Sequence, residues 1–128
     1  MTLKEAQSRG AVAEPLTCTI GAHLEEVASR DPDHPALIMP HQNIRWTYGE
    51  FLNEVNRLAT GLLALGIEPG DRVGIWSPNR FEWVVTQFAT ARIGAIMVCI
   101  NPAYRLFELE YALNKVGATS VDITRSFW

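Results

Sequence analysis

The sequence lacks long apolar runs and a surplus of basic residues, and both absences narrow its possible classes. Its longest segment without Asp, Glu, Lys or Arg runs from Ile93 to Tyr104. That segment is shorter than the about 20 apolar residues of a membrane-spanning helix, so no transmembrane segment is expected. The 11 basic and 14 acidic residues give a net charge of −3. Without a basic excess to neutralise phosphates, we expect no nucleic-acid partner.

Cysteine and histidine are scarce. Cys18 and Cys99 form no CxxC pair, so neither a disulfide framework nor a cysteine metal site is expected. We predict that Cys99, inside the apolar run AIMVCI, is a reduced and buried thiol. The histidines are scattered, which favours surface positions over a metal site, because metal ligands cluster. They are His23, His34 and His41.

Common catalytic signatures are missing as well. The sequence contains no GxGxxG, GxxxxGK[ST], GxSxG or HExxH motif. Its closest acid pairs, Glu25 with Glu26 and Glu108 with Glu110, are one or two residues apart. Such neighbours do not face each other on a helix, so they are expected to be solvated rather than catalytic. We therefore assign no catalytic, cofactor-binding or metal-binding residue.

The composition, with 48% apolar and 20% charged residues, is typical of one globular domain. Residues 1–17 are polar and unpatterned, and we predict a mobile tail there. This segment lacks the apolar centre of a secretory signal and contains acidic residues, which mitochondrial presequences avoid. We therefore expect a cytoplasmic protein.

The first half of the chain predicts a helix, a hairpin and a longer helix. Apolar residues at helical spacing indicate a helix over Thr19–Arg30, and two extended runs around Pro40–Asn43 indicate an antiparallel hairpin. A capping box, Thr47 with Glu50, begins the next helix, and Gly66 ends it. The apolar stripe of that helix is expected to comprise Phe51, Val55, Leu58, Leu62 and Leu65.

The second half predicts alternating strands and helices. The runs Arg72–Ser77 and Ala95–Ile100 are typical of central strands that are covered on both faces. Helices are expected over Asn79–Ile93, with Val84, Phe88 and Ala91 inward, and over Leu106–Val116, before a further strand. This order predicts an α/β fold: the start of a parallel sheet with flanking helices, preceded by a small antiparallel hairpin.

Two loops are the best positional candidates for a ligand site. Ser77-Pro78-Asn79 and Asn101–Arg105 each follow a predicted parallel strand, and ligands of open α/β sheets bind beyond the carboxyl ends of the strands. The favoured interpretation is nevertheless that these residues serve as caps and turns. A set of aromatic residues could suggest a stacking platform, but without neighbouring basic residues they are expected in the core. They are Trp46, Trp76, Phe81, Trp83 and Phe88.

An ordered series of segments resembles the N-terminal portion of AMP-forming acyl-CoA synthetases, in the fatty-acyl-CoA ligase branch of the adenylate-forming enzymes. The resemblance covers residues 16–117. It is carried by Ile44–Phe51, Ala59–Asn79, Glu82–Val84, Gln87–Ala95, Asn101–Arg105 and Glu108–Leu113.

The resemblance implies a two-step reaction on a fatty acid. In the first step the carboxylate displaces pyrophosphate from ATP to give an acyl-adenylate, with Mg²⁺ on the phosphates; in the second, the thiol of coenzyme A displaces AMP. The family's phosphate loop, adenosine-binding Asp and catalytic Lys lie downstream of the matched segment. Residues 18–117 are therefore expected to be the N-terminal part of the AMP-binding domain, an incomplete and inactive fragment without ATP, Mg²⁺ or coenzyme A of its own.

The sequence departs from the family after Gly117, and residues 118–128 are interpreted as a divergent tail, as in a truncated or frameshifted gene product. Two alternatives stay open: a small nucleotide- or acyl-binding module, and a structural remnant without activity. If the chain is a fragment, we expect self-association through an exposed sheet edge, or dependence on chaperones, because a sheet that stops after at most three strands leaves apolar surface uncovered.

Overall fold

The computed structural model describes residues 16–118 and 120–123. Most of the tail predicted over residues 1–17, and most of the divergent tail predicted over residues 118–128, lies outside this part. The elements in chain order are α1 (Ile20–Arg30), β1 (Pro35–Met39), β2 (Ile44–Thr47), α2 (Tyr48–Ala64), β3 (Arg72–Trp76), α3 (Phe81–Ile93), β4 (Ile96–Ile100), α4 (Leu106–Val116) and β5 (Ser120–Ile123).

The strands form two sheets, which confirms the predicted α/β fold. β1 and β2 pair antiparallel around a short 3-10 turn at Pro40–Gln42. β3 lies between β4 and β5, and both pairs are parallel. The connections from β3 to β4 and from β4 to β5 run across the sheet in opposite directions. Because such crossovers are right-handed, α3 and α4 lie on opposite faces of this sheet.

The predicted helix ends are confirmed at atomic detail. The Thr47 hydroxyl accepts a hydrogen bond from the Glu50 N–H at 3.3 Å, and the Glu50 carboxylate accepts one from the Thr47 N–H at 2.9 Å. This is the capping box that the sequence indicates. Gly66, at φ +84°, follows the end of α2 in the left-handed conformation that a residue without a Cβ tolerates best.

The core lies between the sheet and the three helices α1, α2 and α3. One member of the predicted stripe is wrong: Leu65 is 76% exposed, because α2 ends there, and Ile67 is buried instead. The buried residues of the core cluster are Leu24, Phe51, Val55, Ala59, Leu62, Ile67, Val73, Val85 and Ala89.

The inward face predicted for α3 is only partly correct: Val84 and Phe88 pack against the core cluster. Val84, Phe88 and Ala91 are only half-buried, whereas the fully buried residues are Val85, Thr86, Ala89 and Thr90. Apolar residues occur on all sides of this helix, so their spacing alone cannot select a face. Packing against α1, α2 and the sheet selects it.

β3 is paired on both sides, as predicted for a central strand. Val73 and Ile75 of β3 are buried. Within the part of the chain that the structure describes, β4 lies at the edge of the sheet, so Ile96 is 49% exposed. Cys99 is exposed, not buried as predicted, for the same reason. No helix in residues 16–118 has the length and apolarity to cross a bilayer.

Candidate functional site

The loops after β3 and β4 lie side by side at the carboxyl ends of these two strands. Trp76 and Ile100 end their strands in register, so the next residues, Ser77 and Asn101, leave the sheet at the same level. The indole N–H of Trp76 donates a hydrogen bond of 3.1 Å to the Asn101 carbonyl. This bond joins the two loops directly.

Hydrogen bonds within each loop fix its shape. The Asn101 side-chain oxygen accepts a bond of 2.9 Å from the Ala103 N–H, an Asx turn. The indole N–H of Trp83 donates to the Ser77 carbonyl at 2.9 Å, and the Ser77 hydroxyl donates to the Pro78 carbonyl at 3.0 Å. The turn role predicted for Asn101 is therefore confirmed. This turn holds the loop after β4 in one shape beside β3.

Gln42, which the sequence analysis missed, anchors the far end of the first loop. It belongs to the turn of the β1–β2 hairpin, yet its side-chain oxygen accepts a bond of 2.8 Å from the Phe81 N–H, at the start of α3. Its amide group donates to the Glu82 carboxylate at 3.1 Å. No local pattern could reveal this role, because the partners are distant in sequence.

Glu82, close to the loop that follows β3, is an ionisable group with a shifted pKa. Partial burial acts to raise the pKa of Glu82, but the hydrogen bonds from Arg80 and Gln42, a backbone hydrogen bond and the charge of Arg80 together bring that pKa below its ordinary value. The guanidinium of Arg80 lies 3.2 Å from the carboxylate. The carboxylate is therefore ionised at neutral pH and is engaged by its neighbours.

Three of the five aromatic residues expected in the core pack against it, whereas Trp76 and Trp83 are half-buried outside the core cluster. Trp46 and Phe81 meet edge to face with ring centroids 5.0 Å apart, and Phe51 and Phe88 do so at 5.3 Å. Trp46, Phe81 and Phe88 all pack against the buried core cluster. These rings support the walls of the site and form no stacking platform.

The remaining candidates lie apart from this edge. His34 and His41 are exposed, as expected, but His23 is half-buried with Nδ1 3.6 Å from the Glu26 carboxylate. In residues 16–118 and 120–123, no group of three or more His, Cys, Asp or Glu could hold a metal ion. Cys18 is exposed and unpaired.

The acidic pairs are separate exposed groups, which excludes the two-carboxylate chemistry that was considered. Glu25 lies 3.4 Å from Arg92, and Glu108 accepts a hydrogen bond of 2.8 Å from the Arg105 N–H. Glu26 and Glu110 are exposed. At the carboxyl ends of β3 and β4, the polar side chains therefore hold the loops in place. What this site offers to a ligand is its shape and its backbone groups.

Comparison with known protein families gives a match over most of the chain. A family model described as AMP-binding enzyme matches residues 24–124. The medium-chain acyl-CoA ligase ACSF2, mitochondrial, of Bos taurus is 47% identical over 109 residues, which is 85% of this chain and 18% of that protein. The protein of the same name from Danio rerio is 44% identical over 127 residues, which is 98% of this chain and 21% of that protein.

The chain also matches solved structures over most of its length. The N-terminal domain of FACL13 from Mycobacterium tuberculosis superimposes with a TM-score of 0.80 and 33% identity, over 84% of this chain and 27% of that one. This chain spans about one fifth of the length of the curated relatives it matches.

Proposed function

The chain belongs to the AMP-binding enzyme family, because the family model matches residues 24–124, and from this premise we propose that it forms the N-terminal part of a fatty-acid–CoA ligase. Membership confirms the resemblance found in the sequence. In the proposed reaction a fatty-acid carboxylate attacks the α-phosphorus of ATP and releases pyrophosphate. The thiol of coenzyme A then attacks the acyl carbon and releases AMP.

The observation that carries the proposal is the paired loops at the carboxyl edge of β3 and β4. Ligands of parallel sheets bind at this edge, and the Trp76–Asn101 bond holds its two loops together. We propose that this edge forms part of the wall beside the adenylate. The catalytic groups are proposed to come from the larger part of the relatives that this chain does not span.

Magnesium is implied for the reaction, but the described residues do not fit it. They contain no cluster of three acidic or histidine ligands, and the ionised Glu82 is bound by Arg80 and Gln42. We therefore assign no step through the metal to this chain. Its proposed contribution is to position loops.

A chimera tests this proposal. The aligned 109-residue segment of the Bos taurus ligase is replaced by its counterpart from this chain. We expect the chimera to form acyl-CoA from a medium-chain fatty acid, ATP and coenzyme A. A chimera that is folded by circular dichroism and forms neither acyl-adenylate nor acyl-CoA would overturn the proposal, and would favour a structural remnant.

A cytoplasmic location also stays a proposal. The Bos taurus and Danio rerio relatives carry the word mitochondrial in their names. Subcellular fractionation of cells that express the 128-residue chain with a C-terminal tag distinguishes the two compartments.

A further inference from the structure

The loop between β3 and α3, residues 77–80, is held at both of its ends by side chains that lie outside it. At its beginning, the Ser77 carbonyl accepts a hydrogen bond of 2.9 Å from the indole N–H of Trp83. At its end, the next residue, Phe81, donates its backbone N–H to the side-chain oxygen of Gln42 at 2.8 Å. These two bonds determine the position of the residues between them.

Gln42 makes a second bond at the same end of the loop. Its amide N–H donates to the Glu82 carboxylate at 3.1 Å, and the guanidinium of Arg80 lies 3.2 Å from that carboxylate. The Gln42 oxygen therefore faces a backbone donor and its nitrogen faces an ionised acceptor. Only a side chain with one acceptor and one donor at its tip satisfies both partners, and an amide has both.

The hairpin that carries Gln42 is anchored independently of these bonds. Trp46 of β2 packs edge to face on Phe81, with ring centroids 5.0 Å apart. Trp46 and Leu37 of β1 also pack against the buried core cluster. A change at Gln42 should therefore alter the end of the loop locally, without releasing the hairpin from the core.

The composition of the loop indicates which half of an acyl-adenylate it suits. Residues 77–80 are Ser, Pro, Asn and Arg, and they include no large apolar side chain. Sites for hydrocarbon chains are lined mostly by apolar and aromatic side chains. The polar loop is therefore better suited to contact the nucleotide than the acyl chain.

We propose that Gln42 is a positioning residue for the adenylation step: through Phe81 and Glu82 it fixes the place of loop 77–80 beside ATP. This inference rests on the proposed function, in which the carboxyl ends of β3 and β4 form part of the wall beside the adenylate. A loop that offers shape and backbone groups binds the ground state and the transition state alike. Its displacement should therefore raise the KM for ATP and leave kcat nearly unchanged.

Exchanging the carboxylate between positions 42 and 82 tests the proposal in the chimera described above, whose exchanged segment contains both positions. Gln42→Glu removes the amide donor and brings a second carboxylate to that of Glu82, so the KM for ATP in pyrophosphate exchange should rise about tenfold. Adding Glu82→Gln supplies an amide donor at position 82. The new carboxylate at position 42 can then accept bonds from that amide and from the Phe81 N–H, so the double variant should return to within about threefold of the original KM.

Controls separate positioning from added charge and from folding. His41→Glu adds the same charge at the exposed neighbouring position and should leave the KM for ATP unchanged. Glu82→Gln alone keeps an acceptor for the Gln42 amide and should change that KM by less than about threefold. Each variant is assayed below its melting temperature, measured by circular dichroism. A merely structural role would reduce the amount of folded enzyme, and with it the apparent kcat, without raising the KM.

The outcomes distinguish this inference from the function on which it rests. A raised KM for ATP that the second substitution restores supports the inference. An unchanged KM in Gln42→Glu, a fall in kcat alone, a raised KM for the fatty acid alone, or a double variant no better than Gln42→Glu would overturn it and leave the proposed function standing. A folded chimera that is inactive before any substitution would refute both.

Gln42→Ala keeps the test decisive if Gln42→Glu does not fold. It removes both bonds of the Gln42 side chain without adding a charge. The KM for ATP of this variant should rise about threefold or more, again with kcat nearly unchanged. An unchanged KM in the folded Gln42→Ala chimera would overturn the inference in the same way.

Discussion

Gln42 accepts a hydrogen bond of 2.8 Å from the Phe81 N–H and thereby caps a helix that begins 39 residues later in the chain. The bond connects the hairpin turn to the start of α3, directly after the loop at the candidate site. The first turn of a helix leaves backbone N–H groups without partners, and Gln42 satisfies one of them. The hairpin therefore has a structural role in holding the site loop.

Gln42→Ala should destabilise the protein by about 1–2 kcal/mol, because it removes the cap on Phe81 and the bond to Glu82 together. His41→Ala is the control, since His41 is the exposed neighbour in the same turn, and its cost should be within about 0.5 kcal/mol. Denaturant unfolding of both variants measures the difference. Equal midpoints would show that the capping bond contributes little.

Glu82→Gln should make the free energy of unfolding less sensitive to low pH. The pKa of Glu82 is lowered in the folded protein. The stability that its ionised carboxylate contributes is therefore fully present at a pH above the ordinary pKa of 4.5. It is lost as pH falls through the lower, folded-state pKa. The variant should therefore lose less stability than the native chain below pH 4.5. Denaturant unfolding of the native chain and the variant across this pH range measures the difference, and an equal loss of stability in the two proteins would refute this assignment.

Gly21→Ala and Gly61→Ala should have opposite effects. A Cβ at Gly21 would lie 2.9 Å from Cγ and 3.1 Å from Cα of Arg92, so α1 and α3 would have to separate. We expect a loss of about 1–3 kcal/mol. A Cβ at Gly61 meets no atom within 4 Å, and Ala there should stabilise α2 by about 0.5–1 kcal/mol. Thermal unfolding of the pair decides: a tolerated Gly21→Ala would mean that the helices are less closely packed.

Thr86→Val and Thr90→Val should also differ in sign. Within the described residues, the buried Thr86 hydroxyl has no hydrogen-bond partner, whereas the Thr90 hydroxyl donates to the Thr86 carbonyl at 2.8 Å. Val at position 86 removes an unsatisfied polar group and should stabilise by about 1 kcal/mol. Val at position 90 removes a bond and should cost a similar amount. Destabilisation by Thr86→Val would indicate that its hydroxyl is satisfied in solution.

Local signals in the sequence were sufficient for the element ends and the fold class. The capping box at Thr47 depends on residues three apart, and the stop at Gly66 depends on a single residue with φ +84°. Both features depend on residues that are close together in the sequence, and both were predicted correctly. The position of both candidate loops at the carboxyl ends of parallel strands was also predicted, from the order of strands and helices.

What the sequence could not predict depends on distant contacts. Strand order decides that β4 is an edge strand and that Cys99 is exposed, and the apolar run around Cys99 looks the same in either place. The buried face of α3 depends on which helices pack against it, because its apolar residues lie all round. Gln42 shows no pattern of its own, since its role arises only when the hairpin meets α3.

We propose that this chain supplies structure to a ligase without supplying its catalytic groups. Exchange of labelled pyrophosphate into ATP, with a medium-chain fatty acid present, measures acyl-adenylate formation directly. We expect no exchange above background from the purified 128-residue chain, and clear exchange from the chimera that contains its segment. Exchange by the chain alone, or a folded chimera without exchange, would contradict the account.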